Sequence, residues 1–242
     1  MRLFLVRLFV FSFHKIEWII VGIFNPLATK KIKKFNAKNS DDVWNFFQSS
    51  FLGFLIRPTQ IKSEFSSLLN IFQKKQPHTI LEIGTANGGT LFSFLKLAPS
   101  DALIVSIDLP QGRFGGGYPK QKIPLYSSFA RDKQDLVLLR EDSHSDKTLE
   151  KAKKILNGKN IDFLFIDGDH SYEGVKEDFE MYGPLVKKGG IIAFHDIVDG
   201  LDEHVGGVPR FWREISGNYK HEEFIENKNQ GGLGIGVLFV GE

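Results

Sequence analysis

The chain predicts a doubly wound α/β fold on a mostly parallel sheet, and three features carry that expectation. Five short apolar runs end at or beside a carboxylate, at Glu82, Asp108, Asp142, Asp167 and the pair His195-Asp196. The first run breaks into a glycine-rich turn, ILEIGTANGGT at Ile80–Thr90. Apolar residues at helical spacing, such as Val175, Phe179 and Tyr182, occupy the interval before the fifth run. Ligands of open parallel sheets sit outside the carboxyl ends of the strands, so acidic tips along one edge mark that edge for binding.

An N-terminal extension comes first. Met1–Phe24 is strongly apolar but broken by Arg7, His14, Lys15 and Glu17, whereas a spanning helix needs about 20 mostly uncharged residues. No convincing small-residue cleavage site follows, which argues against a signal peptide. Aromatic and aliphatic residues followed by the lysines of TKKIKKF (Thr29–Phe35) suit an interfacial helix. Peripheral membrane contact through residues 1–34 and packing on the domain or in a homo-oligomer are therefore equal alternatives. Next, Asp41–Phe54 and Gln60–Phe72 carry apolar residues at helical spacing, with Ser40 and Asp41 as N-cap signals and Pro58 between them.

The first strand and its turn suit a nucleotide-like cofactor. A turn without bulky side chains lets backbone N–H groups and a helix N-terminus approach the ligand. Asp108, 24 positions after Gly84, ends the next strand and can accept hydrogen bonds from ribose hydroxyls. A dinucleotide fingerprint would have to use Gly84, Ala86 and Gly89, with alanine where bare backbone should meet the pyrophosphate. Glu82 is a charged residue in a strand that should be buried, so it needs a cationic or donating partner. Both points disfavour an NAD-linked oxidoreductase.

The pattern E-x-G-x-x-x-G-x-T, here Glu82, Gly84, Gly88 and Thr90, resembles motif I of class I S-adenosylmethionine (SAM)-dependent methyltransferases, especially the catechol O-methyltransferase-like group. DGDHSYEGV at Asp167–Val175 and FHD at Phe194–Asp196 are similar to strings in the family of rhamnosyl O-methyltransferases and cephalosporin hydroxylase-like proteins. The resemblance runs from about Thr79 to Ile197 and on through GVPRFWREI, Gly207–Ile215. It implies a seven-stranded Rossmann-like sheet with SAM as cofactor. Glu82, Gly84, Thr85, Gly88 and Thr90 would hold its methionine end, Asp108 the ribose, and Asp142 with Ser143 the adenine. Capping of the helix near Lys147 is the structural alternative for the last two.

The same resemblance implies a divalent metal, Mg²⁺ or Mn²⁺, on Asp167, His195 and Asp196. An acid is commoner in the family at position 195, and an imidazole suits Mn²⁺ or Zn²⁺ better than Mg²⁺. Methyl transfer to oxygen needs a hydroxyl that has been polarised or deprotonated. His170, three residues beyond Asp167, falls where the family carries a basic side chain, and an imidazole of pKa about 6.5 suits a base near neutrality. Asp167 and His170 are thus the catalytic candidates, with packed or capping histidines as the structural alternative. The expected reaction is O-methylation of a small hydroxylated acceptor, with a sugar ahead of a catechol on resemblance alone.

The remaining segments fill out this plan. The leading helices, residues 37–76, are expected as a cap or lid over the acceptor side, following residues 1–36 and preceding a catalytic domain at 77–242. Pro110–Pro124 is too long for a routine βα connection: either Arg113, Phe114 and Tyr118 close over cofactor or acceptor with Gly115–Gly117 as hinge, or the segment is a flexible surface insertion. Near the C-terminus, Pro209–Ile215 reads as a helix with Trp212 in the core, and Gly231–Val240 as the last strand of an antiparallel pair. With 242 residues, 42% hydrophobic and 25% charged, the chain is an ordinary globular one. Its net charge of +2 gives no argument for nucleic acid. The absence of cysteine excludes disulfides and thiol chemistry and permits a reducing cytoplasm. A noncatalytic SAM-binding module in glycan assembly is the rival of a different class.

Overall fold

The computed structural model describes residues 29–110, 117–131 and 133–241. Its centre is a seven-stranded sheet in the order β3-β2-β1-β4-β5-β7-β6. The strands are β1 (Thr79–Ile83), β2 (Leu103–Ile107), β3 (Asp135–Leu139), β4 (Ile161–Ile166), β5 (Val186–His195), β6 (Lys220–Phe224) and β7 (Ile235–Phe239). β1 to β5 pair in parallel, and β7 is antiparallel to both β5 and β6. The expected doubly wound, mostly parallel seven-stranded sheet and the terminal antiparallel pair are both present.

β1 and β2 are buried along their whole length, because helices cover both faces of the sheet. Alternate residues feed separate cores. Ile80, Ile104, Phe163 and Phe165 face one core, while Leu81, Ile83, Leu164 and Ile166 face the other, as the two-residue period of a strand requires. The first core is closed by α1 (Ser40–Ser49), α3 (Lys62–Lys75), α4 (Gly89–Leu97) and α5 (Ile123–Ser127); the second by α6 (Asp146–Leu156), α7 (Tyr172–Tyr182) and α9 (Val208–Ile215). Stacked Phe46 and Phe92, and Phe72 and Phe94, join the leading helices to α4.

Three local readings change. The segment expected to be helical from Asp41 to Phe54 breaks at Ser50, whose hydroxyl accepts from Gly53 N–H and caps α2 (Phe51–Ile56). α1 is capped by the Asn39 side chain, one residue before the expected signals. Gly189-Gly190 is not a turn ahead of β5 but lies within it, where the pairing with β4 shifts and Gly189 takes φ 79°. Trp212 is buried, and its Nε1–H donates to Glu223.

The sheet order reverses between β1 and β4. A crevice opens at such a point outside the carboxyl ends of the strands, and the two cavities described next lie there.

Candidate active site

Glu82 closes β1 opposite Ser106 of β2. Its side chain is fully buried, the Ser106 hydroxyl donates to Oε2 at 2.7 Å, and Oε1 has no hydrogen-bond partner among the described residues. Burial pushes its pKa up to about 8 against hydrogen bonding from Thr90 and Ser106, and the charges of Asp108 and Asp167 push the same way. Thr85 extends the network, 2.5 Å from the Ser106 hydroxyl. An acid with an open oxygen beneath a glycine-rich turn is arranged to receive a cation or a donor.

The turn itself depends on one close approach. Gly84 has φ 91°, and a Cβ there would stand 1.9 Å from the Asp167 carbonyl oxygen. Only glycine fits. Gly88 differs from expectation: it precedes α4 with φ 85°, and its missing Cβ makes room for the Tyr126 ring rather than for either cavity.

A cavity of about 190 Å³ lies at the ends of β1, β2 and β3, with Gly84, Asp108, Asp142, Ser143, His144 and Asp167 in its wall. Asp108 accepts the Tyr118 N–H at 3.1 Å; burial raises its pKa to about 6, against backbone N–H groups of Tyr118, Ala86 and Thr85. Asp142 is half-exposed and accepts the His144 N–H, forming a local turn, while helix α6 begins after Ser145 without a side-chain cap. The structural role of Asp142 is thus that turn and not the helix cap.

A second cavity, about 460 Å³, shares Gly84, Ala86 and Asp167 with the first and is walled by His170, His195 and Asp196. His195 Nδ1 lies 3.2 Å from Asp167 and 3.4 Å from Asp196; His170 lies 3.4 Å and 3.3 Å from the same carboxylates. Burial opposes charge on both rings, but the carboxylates outweigh it, holding His170 at about 9 and His195 well above the ordinary value. Burial likewise opposes ionisation of Asp167, yet the two rings hold its carboxyl well below the usual range. Asp196 adopts φ 61°, a left-handed conformation fixed in part by its acceptance of the Leu233 N–H.

Three ligand atoms, one each from Asp167, His170 and Asp196, lie within 4.8 Å of one another. The histidine in this converging set is His170, where the sequence pointed to His195. The Nε2 of His195 is buried without a partner among the described residues.

Apart from Glu82, which lies beneath the turn, and Gly88, all the expected site residues lie on one or other cavity wall. Arg113, Phe114, Gly115 and Gly116 lie outside the described residues; Tyr118 is buried under Arg140. Sequence reasoning missed several positions. Gln60, between α2 and α3, is buried on the wall of the larger cavity, and its Oε1 has no partner among the described residues. His144 pairs at 3.2 Å with the fully buried Asp178, whose hydrogen bond raises its pKa to about 9. Glu64, at 1% exposure, accepts from Glu226 N–H, Gln230 Nε2 and Gly234 N–H, gathering the glycine-rich 226–234 segment that walls the cavity. The partners of Glu64 and His144 are distant in sequence, and no motif marks Gln60 or Glu64.

Comparison with known proteins gives a consistent assignment. Residues 81–197 match the methyltransferase domain family Methyltransf_24. The uncharacterised protein y4gI of Sinorhizobium fredii is 29% identical over 174 residues, covering 69% of this chain and 18% of its own length. The probable caffeoyl-CoA O-methyltransferase 3 of Dictyostelium discoideum is 26% identical over 225 residues, covering 82% of each. This chain spans 18% and 57% of the lengths of the first two curated relatives it matches. The O-methyltransferase TomG of Streptomyces achromogenes, solved in complex with SAM, has the same fold with TM-score 0.56 and 16% identity, covering 86% of this chain and 92% of that one. Residues 81–197 thus match a methyltransferase domain, and the chain shares the fold of solved O-methyltransferases.

Proposed function

We propose that the protein transfers a methyl group from SAM to a hydroxyl of a small acceptor. One observation carries the reading: the 190 Å³ and 460 Å³ cavities share Gly84, Ala86 and Asp167. A cofactor laid across that junction has its adenosine beside Asp108, Asp142 and Ser143. Thr85, Thr90 and the open oxygen of Glu82 would hold its methionine end. The SAM complex of TomG supports this choice of cofactor.

His170 is the base in this reading. Its Nδ1 meets the His204 carbonyl, and its Nε2, 3.4 Å from Asp167, would take the hydroxyl proton. With its pKa at about 9 in the ligand-free protein, the ring holds a proton near neutrality. Anything that offsets the charge of Asp167 and Asp196 frees it. With His170 acting as base, Asp167 and Asp196 together with the His195 imidazole would form the donor set, one suited to Mn²⁺ ahead of Mg²⁺. Such an ion would polarise the acceptor hydroxyl when bound. The cavity walls supply orientation, which is worth effective molarities of roughly 10⁵ to 10⁸ M.

The finer parts are a sugar-containing acceptor, a cytoplasmic location, membrane contact through residues 1–34 and a homo-oligomer. They rest on the sequence expectations given above. Among the described residues no helix is long and apolar enough to cross a membrane.

The test is isothermal titration of the purified chain with SAM, with and without Mn²⁺, followed by mass spectrometry of a hydroxylated-acceptor panel. Binding with methylated product supports the reading, and no heat for SAM under either condition ends it. Binding without any product across the panel points to the noncatalytic module. Unchanged turnover in His170→Ala removes that residue from the mechanism.

A further inference from the structure

Helix α2 is a six-residue element with an unusual surface. Phe51 and Phe54 are 60% and 66% exposed, and with Leu109 and Leu201 they make up the exposed large hydrophobics of the described residues. Their exposure is imposed by packing. Gly53 is pressed against α1 so tightly that a Cβ would stand 1.9 Å from the Phe46 carbonyl oxygen, and Ile56 is buried on the same side. Rotating the helix to hide positions 51 and 54 would drive side chains into α1. The Ser50 cap fixes the start of the helix as well, donating to Phe46 and accepting from Gly53.

Beside it lies a basic arc. Residues 29–34 are helical; Ile32 is fully buried, and its carbonyl accepts the buried Lys96 ammonium at 3.0 Å. With that anchor fixed inward, Lys30, Lys31, Lys33 and Lys34 are all exposed. Lys31 shares a groove with Lys38, Asp42, Ser49 and Ser50, the residue immediately before Phe51, while Lys30, Lys33 and Lys34 line a second groove with Pro124, Ser127 and Ser128. Asp42 is the acid on that groove, and nearby Asp41 is taken up by Lys62 at 2.9 Å. The whole chain carries only +2, so the positive charge is local. Two projecting aromatics beside clustered lysines have the composition of a surface that seats in the headgroup layer of an anionic membrane. The apolar, aromatic Met1–Phe24 stretch leads into the same basic run.

We infer that the face formed by Phe51, Phe54 and the lysines at 30, 31, 33 and 34 docks on an anionic lipid surface. Pro58, Thr59 and Gln60, which follow α2 directly, wall the larger cavity. Docking therefore sets the acceptor entrance beside the lipid headgroups, where a lipid-linked acceptor would be presented. The inference extends the contact expected of residues 1–34 to the folded domain and does not depend on the proposed chemistry.

The test is co-sedimentation of the full chain with phosphatidylcholine vesicles and with vesicles containing equal parts phosphatidylglycerol, at low and high salt. The full chain is expected to favour the anionic vesicles and to lose that preference at high salt. Phe51→Ser with Phe54→Ser, and separately the four lysines changed to Gln, are each expected to weaken vesicle binding by about tenfold or more. Thermal melting should stay unchanged in both, which separates lost docking from lost folding. Equal binding to both vesicle types, or face variants that bind like the parent, would overturn the inference. In the latter case residues 1–28 alone are the anchor. Size-exclusion profiles in which the aromatic variants convert a dimer to a monomer would also overturn it, because the face would then belong to a second copy.

Discussion

Gly84 and Asp167 touch backbone to backbone at the switch point of the sheet, with 1.9 Å between a hypothetical Cβ at 84 and the Asp167 carbonyl oxygen. Asp167 N–H also donates to the Ile83 carbonyl at 2.9 Å, so the ends of β1 and β4 are joined directly under both cavities. Gly84→Ala introduces strain at a positive φ as well as a backbone collision. A loss of about 2–4 kcal/mol is expected, read as a drop of roughly 5–15 °C in melting temperature.

The stability of the ligand-free protein is expected to fall as pH rises from about 4.5 to 9. Glu82 moves from 4.5 to about 8 on folding, so the unfolded chain sheds its proton first. Its contribution is complete below 4.5 and disappears as pH climbs to 8. His170 and His144 move from 6.5 to about 9, so theirs is complete below 6.5 and lost on the way to 9. Asp167 acts at the other end, losing its contribution as pH falls below its ordinary value of 3.8. Urea melts across this range should show the decline, and Glu82→Gln should flatten the part between 4.5 and 8 by a few kcal/mol.

Asp178 is fully buried, and His144 supplies the opposite charge 3.2 Å away. Asp178 is also within reach of the Ser143 hydroxyl, and Ser143 O accepts from Tyr182 OH, so α7 holds the 142–144 turn. His144→Ala leaves an uncompensated carboxylate and is expected to destabilise by about 3–5 kcal/mol. His144→Ala with Asp178→Leu should recover much of that loss while still weakening SAM binding. Full recovery of both would show that the pair has no bearing on the cofactor wall.

Glu64 collects three donors from one segment, so its neutral isostere should loosen that segment first. Glu64→Gln is expected to speed amide hydrogen exchange in residues 226–234 by at least about tenfold, at a global cost of roughly 1–3 kcal/mol. SAM affinity should change less than acceptor affinity, because residues 231–233 wall the larger cavity and none of the smaller one beside Asp108 and Asp142.

What the sequence disclosed follows from where each signal resides. Glu82, Asp108, Asp167 and Asp196 end apolar strands, and a parallel sheet brings its strand ends to one edge, so a linear pattern becomes a spatial cluster. The choice between His170 and His195 as the converging imidazole was not legible, since it depends on ring orientation at the ends of two strands. Glu64 and Asp178 lay further out of reach. Glu64 meets Gly234 across 170 positions, and Asp178 reads as one polar residue on an amphipathic helix until His144 is folded over it. Ser50 misled in the opposite way, because a cap inside a helix-spaced apolar run looks like part of the run.

The far wall of the larger cavity, proposed above to receive the acceptor, is assembled from opposite flanks of the chain, Pro58–Gln60 before β1 and residues 231–233 after β6, clasped by Glu64. None of these positions falls within the 81–197 stretch that holds the strand-end acids. In the proposed function, reaction and selectivity are therefore drafted on different stretches of polypeptide. Selection can redraw the flanks to suit a new customer while the middle keeps its wiring, and a graft of both flanks from a relative should carry acceptor preference with it.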